Sequence, residues 1–325
     1  MQHRRLGHNG PRVSALGLGC NRMSLKQPRN DAESIATIQA SIDAGINLLN
    51  TADFYGSGHN ESLIGKAFKG RRDDVFISVK CGAMFDPQMT FLGIDGRPEA
   101  IKNFAAYSLQ RLGVEAIDLY QPCRKDPQVP YAETIGAIKD LITEGKVRYL
   151  GVSEVGAQDL RIAHDIHPVT AIEIEYSLAC RFSEREILPT ARPLGIGIIP
   201  YRVLADGILS ATAQPIPASA AHQMAAPRLQ GDNYYHNMAV AAQLDQLAGA
   251  KGVSPAQLAI AWILAQGDDL VPLVGMTSTG RLAENLAILD ISFTADELAF
   301  LDNAFAPDNI IGDRYAPAVM PFVAR

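Results

Sequence analysis

The stretch Ile46-Asn-Leu-Leu-Asn-Thr-Ala-Asp-Phe-Tyr-Gly56 leads into Asn60-Glu-Ser-Leu-Ile-Gly-Lys-Ala-Phe68 and then Val75-Phe-Ile-Ser-Val-Lys80. The first run is apolar up to Asn50 and reads as a buried strand. The second has helical composition. The third is a continuous apolar run, as expected for a strand covered on both faces. Strand, crossover helix and strand make a parallel βαβ unit. Its strand ends deliver Asn50, Tyr55 and Lys80 to one place. An ammonium beside a phenol favours the phenolate, so the pair predicts a tyrosine of lowered pKa and a candidate general acid.

Outward from that unit the alternation continues. Apolar runs at 16–19, 46–50, 75–80, 116–121, 147–153, 170–176, 196–201 and 270–274 read as eight strands. Helical segments lie between them. Asp31 to Ala44 places Ile35, Ile38 and Ile42 on one face and stops at Gly45. Others open near Pro98 and cover 131–145, 157–165, 183–194, 237–250 and 254–266. Ser254-Pro255 is an N-cap and N1 pair, and Thr294 with Glu297 fits a capping box. Eight βα units in 325 residues predict an α/β fold, a (β/α)8 TIM barrel in one domain over 1–325. Residues 3–14 read as an N-terminal hairpin turning at Asn9-Gly10. Residues 81–97 read as a loop, and the Ala/Pro-rich stretch 205–236 as a long loop over the barrel mouth. A doubly wound sheet fits less well, because Gly17-Leu-Gly19 runs on into Cys20, Asn21 and Arg22 and does not complete G-x-G-x-x-G.

Apolar residues make up 47% and charged ones 20%, which suits a globular protein with a large core. With 29 basic and 35 acidic residues the net charge is −6, so a broad electrostatic case for nucleic acid is absent. The opening M-Q-H-R-R-L-G-H-N-G lacks the apolar segment of a secretory signal, and no run of about 18 apolar residues occurs. Neither export nor a membrane span is expected. Four cysteines are too few for a disulfide scaffold, so a reduced, cytoplasmic setting is expected. No heptads appear, which leaves the oligomeric state open.

In a barrel, chemistry sits at the carboxyl ends of the strands. Those positions hold Asn50, Tyr55, Lys80, Cys123, Ser153, Glu154, Glu173, Tyr201, Arg202 and Gly275. The segments N-T-A-D-F-Y-G, N-E-S-L-I-G-K-A, S-V-K, I-D-L-Y-Q, G-K-V-R-Y-L-G-V-S, I-E-Y-S-L, I-P-Y and Gly275 to Asn285 span almost the whole chain. Through them it resembles an aldo-keto reductase. S-V-K-C-G-A, L-Y-Q-P-C-R-K-D-P and V-S-E-V-G-A resemble a bacterial branch that lacks the usual active-site histidine.

The resemblance implies reduction of small aldehydes or ketones with NADPH, by hydride transfer to the carbonyl carbon. It implies Tyr55 as the acid on the carbonyl oxygen and Lys80 as its partner. Asn50 stands where aspartate is usual and Cys123 where histidine is usual. Asn50 cannot neutralise Lys80, so a still lower Tyr55 pKa is expected. Cys123 is a weak donor and orients a carbonyl poorly. Ser153 matches the serine that binds the carboxamide, and Tyr201 the ring that stacks on the nicotinamide. Glu154, Glu173 and Arg202 replace asparagine, glutamine and a small residue, and an ion pair of Arg202 with Glu154 or Glu173 is expected. Thr277, Ser278 and Arg281 fit the 2′-phosphate, with Arg281 on a helix N-terminus, and Glu284 and Asn285 fit the adenine. Gly275 stands where a lysine is common. These implications favour NADP(H). The altered tetrad also admits a second class, an NADP(H)-binding sensor or partner subunit with little turnover.

Some residues have plainer readings. Cys20, Cys81, Cys123 and Cys180 follow barrel strands without C-x-x-C spacing or a histidine, so no metal site is expected. Cys123 itself reads as a small buried filler. His59 reads as a solvated loop residue. His222 and His236, beside Tyr234 and Tyr235, have no assigned geometry. Trp262 reads as core packing.

Overall fold

The computed structural model describes residues 1–25, 28–216 and 226–324. Eight strands form one sheet: β1 Gly17–Gly19, β2 Leu48–Ala52, β3 Phe76–Cys81, β4 Ile117–Pro122, β5 Val147–Ser153, β6 Val169–Glu175, β7 Gly197–Tyr201 and β8 Leu273–Gly275. They pair in parallel in chain order, and β8 returns beside β1. Ile198 closes the ring: its N–H donates to the Asp269 carbonyl, and its carbonyl accepts from Val271 N–H, both at 2.8 Å. This is the (β/α)8 barrel. Strand limits fall within a residue or two of the apolar runs, except that Leu270 makes only an isolated bridge and β8 starts at Leu273.

Alternation along each strand sorts side chains inward and outward. Inward, Leu48, Phe76, Leu119, Ala171, Ile199, Val271 and Leu273 form an apolar plug, with Leu6 and Val13 of the hairpin packed beneath it. Outward, residues such as Ile77 and Ile174 pack against helix residues such as Ile38, Ile135 and Leu160. Trp262 is fully buried against Tyr176, with ring centroids 5.4 Å apart. Both expected helix caps form: Ser254 accepts from Gln257 N–H and Thr294 from Glu297 N–H, each with the return bond of a capping box.

Three loop readings are corrected. The hairpin strands His3–Arg5 and Arg12–Ser14 form, but the positive φ lies at Gly7, at +72°, and not at Asn9-Gly10. A Cβ on Gly7 would sit 2.5 Å from the Thr170 carbonyl oxygen, because the loop docks against the amino ends of β6 and β7. The loop 81–97 contains a second hairpin, Ala83–Phe85 with Phe91–Ile94. Within 205–236, two 3₁₀ segments, Ala205–Ser210 and Pro227–Leu229, precede a helix that begins at Gly231 and runs to Lys251. His222 lies outside the described residues.

The segment after Ala304 takes part in the barrel mouth, which no sequence pattern announced. Asn237 pins it: its Oδ1 accepts from Ile311 N–H and its amide donates to the Ile311 carbonyl, both at 2.9 Å. Phe322 then packs edge-on against Phe91 of the second hairpin.

Candidate active site

Above the apolar plug the inward positions turn polar. Register pairs Asn50 with Ser78, and Lys80 with Gln121. Opposite them, β6 contributes Glu173. Lys80 Nζ lies 2.9 Å from Glu173 Oε1 and donates to Asn50 Oδ1 at 2.7 Å. Glu173 Oε2 accepts from Asn50 Nδ2 at 2.7 Å and from Gln121 Nε2 at 2.6 Å. Ser78 Oγ accepts weakly from both amides, at 3.2 Å each. Gly151 makes room for this layer, since a Cβ there would stand 2.9 Å from Gln121 Oε1. The whole group is buried.

Tyr55 meets Lys80 as the strand ends imply, with Nζ 5.4 Å from the ring centroid. The expected direction of its pKa is overturned. Burial raises the phenol, the Lys80 charge lowers it, Glu173 raises it again, and the net shift is upward. Lys80 is not left uncompensated. Burial pulls its ammonium down, but the Glu173 carboxylate and then Tyr55 together more than offset that, and its pKa is raised. Cys123 is buried nearby and its thiol is pushed up to about 12, chiefly by desolvation, so it stays neutral at physiological pH.

A second charged cluster sits nearer the rim. Glu175, two residues beyond Glu173 on the same inward face, takes Arg228 Nη2 at 2.9 Å, Arg314 Nη1 at 3.1 Å and Arg202 Nη1 at 3.7 Å. Glu154 takes Arg314 Nη2 at 3.0 Å, the Tyr201 hydroxyl at 2.9 Å and Glu175 N–H at 2.9 Å. Burial raises the Glu154 carboxyl, Arg314 and Arg124 lower it, and the net shift is downward. The expected pairing of Arg202 with Glu154 or Glu173 is therefore replaced: Arg202 reaches Glu175 and Asp206. Tyr315 joins the cluster through its hydroxyl, 2.7 Å from that of Tyr201, and through its ring, 4.3 Å below the Arg202 guanidinium. Glu154 and Arg202 follow β5 and β7 with φ of +52° and +51°. Such left-handed backbone in non-glycine residues costs free energy and persists where surroundings enforce it.

The remaining predicted positions separate from these clusters. Ser153 Oγ is buried and has no hydrogen-bond partner among the described residues. Gly275 ends β8 in the open, with nothing within 4 Å of the Cβ it lacks. Thr277, Ser278, Arg281 and Glu284 line the adjoining surface, partly or fully exposed, and Asn285 is buried beside them. Glu284 accepts from Ser254 Oγ at 2.9 Å. The helix that follows, Leu282–Leu286, is too short to add the N-terminal dipole expected beside Arg281 for a phosphate. His59 is not a free loop residue but half-buried at the start of the helix His59–Ala67: Ser24 Oγ lies 2.8 Å from Nδ1 and Asp31 Oδ2 lies 3.1 Å from Nε2. His236 reaches the Asn309 carbonyl. No group of three metal-ligating side chains converges among the described residues.

Sequence reasoning missed Gln121, Ser78, Glu175, Arg228, Arg314 and Tyr315. A signal existed for Glu175, since Glu173 and Glu175 alternate within an apolar strand and must share a face. Arg314 and Tyr315 carried none.

The aldo/keto reductase family model matches residues 15–305. The chain belongs to the aldo/keto reductase family. A probable aldo-keto reductase 1 from Glycine max is 38% identical over 316 residues, 96% of this chain and 91% of that one. Two solved structures share the fold of this aldo/keto reductase. The glycerol dehydrogenase AKR11B4 from Gluconobacter oxydans superposes with a TM-score of 0.83 at 27% identity, covering 94% of this chain and 96% of that one. The thermostable aldo-keto reductase Tm1743, solved with epalrestat, gives 0.77 at 26% identity, covering 94% and 100%. Membership makes the protein an oxidoreductase acting on carbonyl compounds, of a family that binds a nicotinamide cofactor. No single helix among the described residues is long and apolar enough to cross a membrane.

Proposed function

We propose that this aldo/keto reductase reduces small aldehydes or ketones with NADPH, using Tyr55 as the proton donor and Lys80 as its charged partner. The observation that carries the reading is the approach of the Lys80 ammonium to the Tyr55 ring at the mouth of the barrel. NADPH, when bound, supplies the hydride that adds to the carbonyl carbon. Tyr55 Oη gives the proton that completes the alcohol. The phenol is protonated at neutral pH, as a donor must be, and its raised pKa makes it a weaker acid than the Lys80 pair alone would give. Ser153 would hold the carboxamide, since its buried hydroxyl lacks a partner among the described residues. The Tyr201 ring would face the nicotinamide. Glu154 and Glu173 fit the carboxamide poorly, because their oxygens already serve Arg314 and Lys80. The open surface at Gly275, Thr277, Ser278 and Arg281 would take the adenosine phosphate, which favours NADP(H) over NAD(H), with Asn285 and Glu284 beside the adenine. Four free, buried cysteines support a reducing, cytoplasmic setting.

Consumption of NADPH over a panel of aldehydes and ketones tests the reading. Tyr55→Phe is expected to lower kcat by roughly 10²-fold or more while NADPH still binds. Equal turnover in that variant removes Tyr55 as the acid. A second reading, a cofactor-binding subunit with little turnover, draws on the neutral thiol of Cys123, a poor donor to a carbonyl. Tight NADPH binding with no turnover on the panel would favour it.

A further inference from the structure

The aspartate that usually accompanies the active-site lysine is Asn50 here, and yet Lys80 has a carboxylate. We propose that the counter-charge of Lys80 has moved across the barrel to Glu173, a positioning residue, and that position 50 is an asparagine because position 173 is a glutamate. The inference deepens the reading of Tyr55 and Lys80 as the reacting pair and rests on it.

The geometry allows one arrangement. Asn50 faces a cation on one side and an anion on the other. Its Oδ1 accepts from Lys80 Nζ at 2.7 Å, and its Nδ2 donates to Glu173 Oε2 at 2.7 Å. An amide accepts and donates from one planar group at any pH, whereas a carboxylate of this size only accepts until it is protonated. An aspartate at 50 would put two carboxylate oxygens at the distance where a hydrogen bond now lies. Glu173 is equally committed. One oxygen faces Lys80 at 2.9 Å, and the other takes Asn50 and Gln121 and, at 3.2 Å, Lys80 as well. A glutamine at 173 alone would leave the ammonium buried without an anion. Gln121 carries the third donor, so that the carboxylate is satisfied without water.

The relocation alters how the site is tuned. A carboxylate at 50 would approach Lys80 from the strand beside it. From β6, Glu173 approaches across the barrel and also bears on Tyr55, where its charge opposes that of Lys80. The lysine stays positioned, and its pull on the phenol is moderated. Burial does most to hold the phenol above its ordinary value and Glu173 adds to it, so the tyrosine here is not the low-pKa acid that the lone pair would suggest.

A charge-swap cycle tests the proposal in the full-length protein: wild type, Glu173→Gln, Asn50→Asp, and the double variant Asn50→Asp/Glu173→Gln. Thermal melting at pH 5 and pH 8 is read with the pH profile of kcat/KM. Asn50→Asp is expected to melt lower than wild type at pH 8 and to recover at pH 5, where one of two facing carboxylates is protonated. Glu173→Gln is expected to lower kcat by about tenfold and to move the alkaline limb of the profile down by about one pH unit. The double variant is expected to melt above either single variant and to regain turnover relative to Glu173→Gln, with its limb restored. A role confined to packing would not restore the limb. If Asn50→Asp does not fold, a folded double variant is itself the expected rescue. A double variant worse than both singles, or an Asn50→Asp variant as stable as wild type at pH 8, overturns the proposal. If no carbonyl is turned over by any of the four, the pH-dependent melting cycle still decides the counter-charge, and only the reading of function fails.

Discussion

Glu173 and Glu175 stand two residues apart on β6, face the same interior and are both buried, yet they serve different ends. Glu173 is enclosed by one lysine and two amides, all on strands of the barrel. Glu175 gathers three guanidiniums from segments far apart in sequence: Arg202 after β7, Arg228 before a long helix, and Arg314 near the C-terminus. The difference teaches that depth in the barrel assigns the role. Down among the strands, a carboxylate can meet only side chains fixed by register, so it tunes one cation. At the rim, it meets chain returning from elsewhere, so it ties segments together.

The largest effect expected from that contrast comes from removing the rim tie. Glu175→Gln leaves Arg228 and Arg314 buried with less than their full counter-charge. Breaking a buried ion pair from one side costs about 3–5 kcal/mol. A Tm well below that of wild type is expected, with the C-terminal segment more open to proteolysis. The alkaline limb of kcat/KM should stay in place, because Glu175 is not among the charges that set Tyr55. A Glu175→Gln variant that melts like wild type, or that moves the limb as Glu173→Gln should, breaks the distinction between the two acids.

How much of this was legible beforehand follows the same division. Barrel strands are long apolar runs, and their ends could be counted, so Asn50, Tyr55, Lys80, Glu173 and Tyr201 were found as residues of one place. Their pairing was not legible, because it depends on which strands face each other across the barrel. The sequence pattern therefore pairs Arg202 with the wrong acids and leaves Lys80 less compensated than it is. The tail is the other blind spot. Arg314 and Tyr315 belong to a segment without periodicity, held by Asn237 and by charges on distant strands. Local pattern carries no information about such a return.

Asp53 sharpens the contrast from outside both clusters. It is buried two residues before Tyr55, and its Oδ1 has no partner among the described residues. Desolvation, then the nearby Glu61, push its carboxyl up to about 8, so it is protonated in the folded protein at neutral pH. A folded pKa above the unfolded one means that the native state holds a proton the unfolded chain releases. Stability is then lost as pH rises from about 4, the unfolded value, to about 8. Asp53→Asn removes that dependence. It should raise stability at pH 8 by on the order of 2–4 kcal/mol and change it little at pH 4. Glu154 runs the opposite way: its lowered pKa contributes stability above the unfolded carboxylate range that is lost in acid. Equal Tm shifts for Asp53→Asn at the two pH values would show that no buried proton is held there.

The smallest effect separates charge from hydroxyl in the rim cluster. Tyr315→Phe deletes the hydroxyl that lies 2.7 Å from that of Tyr201 but leaves the ring under Arg202. Tyr201 keeps its bond to Glu154. The loss is the bond between the two hydroxyls and a longer one from Arg124 Nη2 at 3.3 Å, together worth about 1–3 kcal/mol, while the cation–π contact survives. Its Tm should fall far less than that of Glu175→Gln. Combined with Tyr201→Phe, it should give a coupling energy of about one neutral hydrogen bond, smaller than the cost of Tyr201→Phe alone, since the two hydroxyls share one bond and Tyr201 also donates to Glu154. Tyr315→Phe losing as much as Glu175→Gln would mean that the phenol pair holds the tail, and that the arginines around Glu175 only neutralise the acid they surround.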